Sequence, residues 1–248
     1  MSMKTKYYLF LFSVLLVFSA CKKAVDATTV PVKFTSTTYQ TLGTYDSLGK
    51  PNYLAPADTI SPSLLSFINN FLPKGLNLTI SHPELFSNTA IADITITQPS
   101  DVYVTFVVEK CLYKNALAFY TYPTNQSPTS AKDISLITYI FPNCGNNTPL
   151  LSGNKVKIGR FDVGTSIGFV LMENAWDTAT KTLNNDAVHF CTNDALNPEV
   201  DPKLKKHAVL INYAPENKVI IGWEDTDRTM PYCDNDFDDV VVYFTVTP

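Results

Sequence analysis

The chain has 248 residues, of which 45% are hydrophobic, so it can form one large β domain or two small ones. It carries 19 basic and 23 acidic residues without a stripe of Lys and Arg, which argues against a nucleic-acid-binding protein. After the N-terminal segment there is no second apolar run of the ~20 residues that a membrane-spanning helix needs.

The N-terminus has the three-part pattern of a bacterial export signal. Lys4 and Lys6 give a positive start, and residues 7–18 are then almost wholly apolar. This run is too short to span a bilayer, and small residues separate it from Cys21, as in a bacterial lipobox. We therefore predict a signal peptide over residues 1–20 and a lipid on Cys21, which would anchor an outer membrane lipoprotein facing the periplasm or the cell surface. Ordinary cleavage that leaves this cysteine a free thiol is the alternative.

Removal of the signal peptide makes the distribution of charge informative. The mature chain would keep 17 basic and 23 acidic residues, a net charge of −6. Seven of those acids lie between Glu224 and Asp239, where Arg228 is the only base, and the rest of the mature chain has 16 of each sign. The acidity is therefore concentrated in one segment, which indicates a site more than a general adaptation for solubility.

The part of the chain after the signal peptide begins with a polar stretch and one helix. Residues 21–57 are rich in Thr, Ser, Pro and Ala, and we predict a tether with one short strand near residues 32–38. Ser61 can cap a helix that begins at Pro62, and apolar residues then share one face until Pro73 ends it. This amphipathic helix is predicted to pack on a sheet.

The chain from residue 90 onward is predicted to be mostly β. Short β-branched and aromatic runs are separated by Asn, Pro and Gly clusters, as in strands joined by turns. The main runs cover residues 102–109, 117–122, 134–141, 156–161, 166–172, 207–213, 218–223 and 240–246. Residues 178–205 are polar and are predicted to form a long loop. The pattern favours a mostly β fold, an antiparallel, jelly-roll-like β-sandwich with one short amphipathic helix, as a single domain over residues 58–248.

Four cysteines remain besides the candidate lipid site: Cys111, Cys144, Cys191 and Cys233. An even number of cysteines in an exported chain permits disulfides, so we predict at least one. The spacing leaves the pairing open, with a weak preference for Cys191 with Cys233 because both lie in predicted polar loops. There is no C-x-x-C motif, which argues against a zinc ribbon.

The most specific motif lies between the last two predicted strands. Three acids are spaced two residues apart, as a tight turn needs in order to converge oxygen atoms on one point, and other acids flank them. The candidate ligands are Glu224, Asp225, Asp234, Asp236, Asp238 and Asp239. Without a cation these carboxylates would repel one another and some of their pKa values would rise. Because Ca²⁺ takes about 6–8 oxygen ligands, we predict a calcium site here.

This motif is not an EF-hand. The D-x-D-x-D opening fits, but the sixth position is Asp239 instead of Gly and the twelfth is Thr245 instead of Glu. The predicted site is therefore a β-hairpin loop site. A solvated acidic turn without a metal is the alternative interpretation.

The C-terminal pattern G-W-E-D followed by D-N-D-F-D-D-V-V resembles the signature of the LruC-type domain, one of a wider group of uncharacterised secreted bacterial domains. Further matching segments are residues 72–75, 82–84, 101–106, 115–122 and 164–169, so the resemblance covers roughly residues 62–248. Asp238 stands where Asn is usual and Ala118 where Gly is usual, and residues 226–233 have their own sequence. The resemblance implies a secreted or surface β-sandwich that binds calcium and has no established enzymatic activity.

The motifs of common hydrolases do not occur in the sequence. There is no H-E-x-x-H and no G-x-S-x-G, and the three histidines are scattered. His207, which opens a predicted strand, is interpreted as structural. Cys191 lies near His189, but an exported cysteine in a set of four is more often disulfide-bonded than nucleophilic.

These observations predict a non-enzymatic, periplasm-facing or cell-surface lipoprotein with a role in adhesion or surface assembly. Its partners would be the membrane, through the lipid on Cys21, and a surface glycan or protein. A glycan-binding accessory lipoprotein is the alternative, because jelly-roll sandwiches often bind sugars, although this is an analogy of fold alone. A hydrolase is the third and least favoured interpretation.

Overall fold

The computed structural model describes residues 28–87 and 93–248. The predicted signal peptide over residues 1–20 and the candidate lipidation site at Cys21 lie outside the described residues. Within the described ranges, no helix is both long enough and apolar enough to cross a membrane.

The described residues form mostly strands. The strands are β1 (Thr38–Thr41), β2 (Ile94–Thr95), β3 (Ser100–Glu109), β4 (Ala116–Pro123), β5 (Leu136–Phe141), β6 (Lys155–Phe161), β7 (Thr165–Met172), β8 (Trp176–Asp177), β9 (Thr182–Leu183), β10 (His189–Cys191), β11 (Ala208–Tyr213), β12 (Lys218–Trp223) and β13 (Val240–Thr247). The α-helices are α1 (Pro62–Phe71) and α2 (Leu78–Ser81). Four short 3₁₀ turns cover Pro83–Phe86, Ala131–Asp133, Asp194–Leu196 and Ala214–Glu216.

The longer strands form two sheets. One has the order β1-β5-β4-β7-β10, with β2 also paired to β7, and the other has the order β11-β12-β13-β3-β6. Every pair in these sheets is antiparallel except β1 with β5. The predicted fold class, a β-sandwich with a short helix, is confirmed.

Alternation along the central strands separates the core into layers. Val240, Val242 and Phe244 of β13 join a large cluster that includes residues of both sheets, such as Phe169 of β7. Val241 of β13 belongs instead to a second cluster beneath α1. Successive side chains of a strand point to opposite faces, so β13 is buried on both sides.

Helix α1 forms where its sequence predicts. Ser61 has extended backbone angles and its side chain accepts a hydrogen bond from the Leu64 amide at 3.0 Å, which is an N-cap. Pro62 occupies the first turn, where its missing N–H costs nothing. The buried face of the helix carries Leu64 and Ile68, which pack with residues of β11, β12 and β13. The predicted amphipathic helix is confirmed.

The prediction of a tether over residues 21–57 is wrong for its described part. Thr38–Thr41 pairs in parallel with β5, so the short strand lies later than residues 32–38. Phe34 is buried in a cluster against the outer face of the first sheet, and Gly49 packs on Trp176. The low apolar content misled the prediction because this segment gains its stability from a few long-range contacts and not from a core of its own.

The predicted loop over residues 178–205 is also more ordered than expected. It contains β9 and β10, and β10 pairs with β7 through His189, Phe190 and Cys191. Phe190 is 1% exposed and lies in the core between the sheets. Three residues are too few to show a strand periodicity, and so this edge strand is hidden among polar neighbours in the sequence.

The four cysteines are free thiols in the structure. Cys111 and Cys144 belong to the core between the sheets, whereas Cys191 belongs to the cluster on the outer face of the first sheet. Cys191 is fully buried and Cys233 is partly exposed, so the preferred pairing is not formed. The structure therefore differs from the prediction of at least one disulfide.

Candidate metal centre

The acidic loop connects β12 to β13 at one end of the second sheet. Backbone hydrogen bonds fix both ends of the loop. The Glu224 amide donates to the His207 carbonyl at 2.9 Å, and the Asp239 amide donates to the Trp223 carbonyl at 3.1 Å. The Lys110 amide donates to the Asp239 carbonyl at 2.9 Å, which joins the loop to the end of β3. Both ends of the acidic loop are therefore held by hydrogen bonds to neighbouring strands and the chain beside them.

Three of the six candidate ligands converge on one point. Glu224, Asp234 and Asp236 each offer a carboxylate oxygen, and these three oxygens lie within 4.8 Å of one another. Glu224 and Asp236 are each 2% exposed, whereas Asp234 is exposed. Two ligands would thus hold a cation from the protein side, and the third would approach it from solvent.

Glu224 is the residue whose environment most needs a cation. Its Oε2 atom is buried and has no hydrogen-bond partner among the described residues. The pKa of Glu224 is raised to about 8, mainly by burial. A hydrogen bond from the Cys233 thiol opposes this shift, and the nearby carboxylates of Asp234 and Asp236 add to it. An unpaired buried carboxylate is costly, and a coordinated cation would remove that cost.

Asp236 is held in a fixed orientation. Its Oδ2 accepts a hydrogen bond from the Gly75 amide at 2.6 Å, and its Oδ1 accepts one from the Asp238 amide at 3.1 Å. Each carboxylate oxygen has two lone pairs, so both atoms keep the capacity to coordinate a metal. The loop that follows α1 therefore positions the candidate ligand Asp236, which lies 161 positions later in the chain.

The backbone of the loop adopts an uncommon conformation that gathers the acids. Asn235 and Phe237 have φ values of 58° and 57°, in the left-handed region. Asn enters this region readily, but a bulky residue such as Phe does so rarely, at a cost of about 1–3 kcal/mol. The Phe237 ring is fully buried beneath α1, and burial of this ring offsets the cost. The packing of Phe237 beneath α1 thus holds the loop in the conformation that brings the acids together.

Gly222 allows this loop to approach the sheet. A Cβ atom at this position would lie 2.5 Å from the Phe237 carbonyl oxygen and 2.7 Å from Leu72 Cδ1. Real Cβ atoms do not approach backbone so closely, and so a side chain here would push the loop away from β12.

The other three candidate ligands are engaged elsewhere. Asp238 Oδ2 accepts a hydrogen bond from Lys110 Nζ at 2.6 Å, in an ion pair in which Asp238 is almost fully buried. Asp239 Oδ2 accepts from the Asp225 amide at 2.8 Å, and Asp225 Oδ2 accepts from Asn115 Nδ2 at 2.6 Å. The structure thus divides the predicted set into a convergent group of three, an ion-paired aspartate and a second carboxyl pair.

The carboxyl groups are costly to ionise together. Burial raises the pKa of Asp239 to about 10, and the charge of Asp225 adds to that shift. Burial raises the pKa of Asp238 to about 6 against the opposing effect of Lys110. The pKa of Asp234 is raised by burial and then by Asp236. The local field therefore favours any cation that can reach these oxygens.

The convergent group has the chemistry of a hard-cation site. Three carboxylates can supply three to six oxygens, depending on whether each binds through one atom or two. Calcium takes about 6–8 oxygens in flexible geometry, so Glu224, Asp234 and Asp236 would leave positions for water or for an oxygen of a ligand on the exposed side.

Sequence reasoning did not identify several residues that support the site. Lys110 and Asn115 lie more than 100 positions from their aspartate partners, and Gly75 contributes only a backbone amide. Behind the loop, His207 Nδ1 contacts the Glu224 carbonyl at 3.0 Å, and its Nε2 contacts the fully buried Glu199 at 2.8 Å. His207 is thus structural, as its position at a strand start indicates.

The C-terminal part of the chain matches a known family model. A family model described as a domain of unknown function, DUF4114, matches residues 161–247, about a third of the chain. No curated protein and no solved structure matches the chain. The matched segment runs from the end of β6 to the end of β13 and includes the entire acidic loop. This C-terminal part of the chain is therefore similar to a domain of unknown function.

Proposed function

We propose that the chain is a non-enzymatic, calcium-stabilised β-sandwich of an exported lipoprotein that works in adhesion or surface assembly. In this proposal a Ca²⁺ ion binds between Glu224, Asp234 and Asp236 and locks the β12–β13 loop. The resemblance of the C-terminal signature to the LruC-type domain agrees with a secreted calcium-binding module, and the lipobox pattern at Cys21 agrees with membrane attachment.

One observation carries the metal proposal. Glu224 Oε2 is buried without a hydrogen-bond partner among the described residues, and Glu224 shares its site with two other carboxylates within 4.8 Å. A solvated acidic turn would expose its carboxylates to water, but Glu224 and Asp236 are each only 2% exposed. No ion pair of the described residues includes Glu224 or Asp236, and Arg228 acts on Glu224 only through its charge at longer range. Buried carboxylates without a direct ion-pair partner favour a bound metal over the acidic-turn interpretation.

Two features support a binding role in preference to catalysis. Burial raises the pKa of the thiols of Cys111, Cys144 and Cys233, which makes them weak nucleophiles at neutral pH. His189 is held between the Tyr39 hydroxyl and the Ala187 carbonyl, so both of its ring nitrogens are occupied.

The test is thermal unfolding in EDTA and in several millimolar CaCl₂. A ligand that binds only the folded state stabilises it by about 2.7 kcal/mol at a hundredfold excess over Kd. We expect calcium to raise the Tm of the wild type clearly and that of Asp236→Ala and Asp234→Asn much less. Magnesium should have a smaller effect, because it demands octahedral geometry and keeps its water ligands.

The matched control is Asp162→Asn, which removes an exposed carboxylate outside the acidic loop. This variant should respond to calcium like the wild type. An equal Tm with and without calcium in the wild type, or an equal calcium response in Asp234→Asn, would contradict the metal proposal.

A further inference from the structure

A cleft of about 480 Å³ lies beside the acidic loop. Its volume is within the range of ~300–1,000 Å³ that is typical of small-molecule sites. Its walls come from the turn before α2, the chain before β11 and the acidic loop itself. The lining includes Asn77, Phe86, Lys203, Lys206, Arg228 and Asn235.

Arg228 is the central cation of this cleft and is only 5% exposed. Its Nε donates to Asn235 Oδ1 at 2.7 Å, and its Nη1 donates to the Lys206 carbonyl at 2.8 Å. All of its hydrogen-bond acceptors are neutral, and no carboxylate of the described residues forms an ion pair with it. A buried guanidinium without a carboxylate partner is a strong anion-binding group.

Two aromatic rings cover the guanidinium. Its carbon lies 5.5 Å from the centroid of the Phe86 ring and 5.4 Å from that of Phe237. Nη2 of Arg228 has no hydrogen bond to any residue in the described ranges. The rings hold the Arg228 side chain in place, and this free edge remains available for a planar anion.

The charges around the cleft also favour an anion. Lys203 is exposed at its rim, and Lys206 is 8% exposed within it. Asp194 is the only acid among the described residues that line the cleft, and it forms an ion pair with Lys206 at 3.1 Å. No carboxylate of the described residues is in ion-pair contact with Arg228 or Lys203, and Glu224, Glu199 and Asp194 act on the charge of Arg228 only from farther away. Both cations therefore keep their direct contacts for a ligand.

The uncharged residues that line the cleft indicate which class of anion would fit it. Asn77 and Thr79 contribute an amide and a hydroxyl group, which can exchange hydrogen bonds with sugar hydroxyls. Phe86, with Pro202 and Leu204, contributes apolar surface on which a pyranose ring can lie. We infer that this cleft binds a saccharide carrying a carboxylate, with the carboxylate on Arg228 and Lys203. The inference goes beyond the cation site and needs no bound metal ion, because protein side chains alone form the cleft.

The experiment is calorimetric titration with trigalacturonate in EDTA, so that no metal ion can bridge protein and sugar. The wild type should bind trigalacturonate and not its fully methyl-esterified form, which has the same rings without charge. Arg228→Lys keeps the positive charge but loses the planar guanidinium group. This variant should bind trigalacturonate on the order of tenfold more weakly than the wild type. Lys203→Gln, at the exposed rim, should bind about three- to tenfold more weakly.

Two controls make the outcome decisive. Lys132→Gln removes an exposed lysine that does not line the cleft and should bind like the wild type. If Lys203→Gln has the same Tm as the wild type, its weaker binding of trigalacturonate is not caused by unfolding. No binding of trigalacturonate, equal binding of the ester, unchanged affinity in Lys203→Gln, or equal binding of a triglutamate peptide would each overturn the inference and leave the calcium proposal intact.

Discussion

Glu224 shows at the scale of one residue why the loop is unfavourable without a cation. Its carboxyl group has one oxygen without a partner, and burial raises its pKa to about 8. In the unfolded chain the same group ionises near pH 4.5. Folding without a metal therefore requires either a bound proton or a buried negative charge, and each costs free energy at neutral pH.

The stability of the metal-free protein should depend on pH in a specified direction. Because the folded-state pKa of Glu224 is raised, its contribution is fully favourable below about pH 4.5 and is lost as the pH rises towards about 8. In EDTA we expect the Tm to fall between pH 5.5 and pH 8. The increase in Tm on adding calcium should be larger at pH 8, where protons compete less for the carboxylates.

Glu224→Gln is the control for this pH dependence. Glutamine has nearly the same shape but does not titrate, so the Tm in EDTA should change less between the two pH values, and calcium should add little at either. A wild-type Tm in EDTA that rises with pH over this window would contradict the assignment.

Helix α1 and the second sheet form one unit at the scale of elements. Leu64 and Ile68 pack with Val241 of β13 and Phe237 of the acidic loop in one cluster. The loop after α1 also supplies the Gly75 amide that holds Asp236. The helix thus does more than cover the sheet, because its end helps to shape the candidate metal centre.

Leu64→Ala should destabilise the fold strongly. Leu64 is fully buried, and truncation of a buried Leu typically lowers the free energy of unfolding by about 2–5 kcal/mol through lost burial and the cavity that remains. Leu65 on the same helix is 42% exposed, and Leu65→Ala should change the free energy by less than about 0.5 kcal/mol. Urea unfolding of the two variants measures the difference, and equal losses would contradict the packing described for α1.

The elements differ in how well the sequence predicts them. The N-cap and proline signals at Ser61 and Pro62 are local, so the helix boundaries could be predicted to within about two residues. Strand β1 could not, because its four residues are held by pairing with β5, almost 100 positions away. Likewise, the sequence predicts the acidic loop but not which of its acids converge on one point. Asp238 and Asp225 are drawn away by Lys110 and Asn115, which lie more than 100 positions earlier in the chain.

The whole molecule is a two-sheet sandwich with the candidate metal centre at one end of the second sheet. The N-terminal segment from Thr28 onward lies against the body, with the Val30 amide donating to the Pro198 carbonyl at 2.7 Å. Only a few residues separate this contact from Cys21, so a lipid there would hold the domain close to the membrane.

Cys21→Ser tests the anchoring of the whole protein. The lipobox pattern predicts that the wild type is processed, gains the mass of a lipid and fractionates with membranes. The serine variant should remain unprocessed or become soluble. Cys233→Ser, which leaves the candidate lipid site intact, should fractionate like the wild type. Unchanged fractionation and mass in Cys21→Ser would exclude lipidation at this residue.

The most direct test of the central claim is a crystal structure of the protein grown in calcium, with anomalous scattering used to identify the ion. We predict one calcium ion with oxygen atoms of Glu224, Asp234 and Asp236 at about 2.3–2.6 Å, and with water or another oxygen ligand on the exposed side. A calcium site at this loop would be excluded by a crystal in millimolar calcium in which these three carboxylates surround only water, or in which calcium binds elsewhere and Glu224 Oε2 remains unpaired.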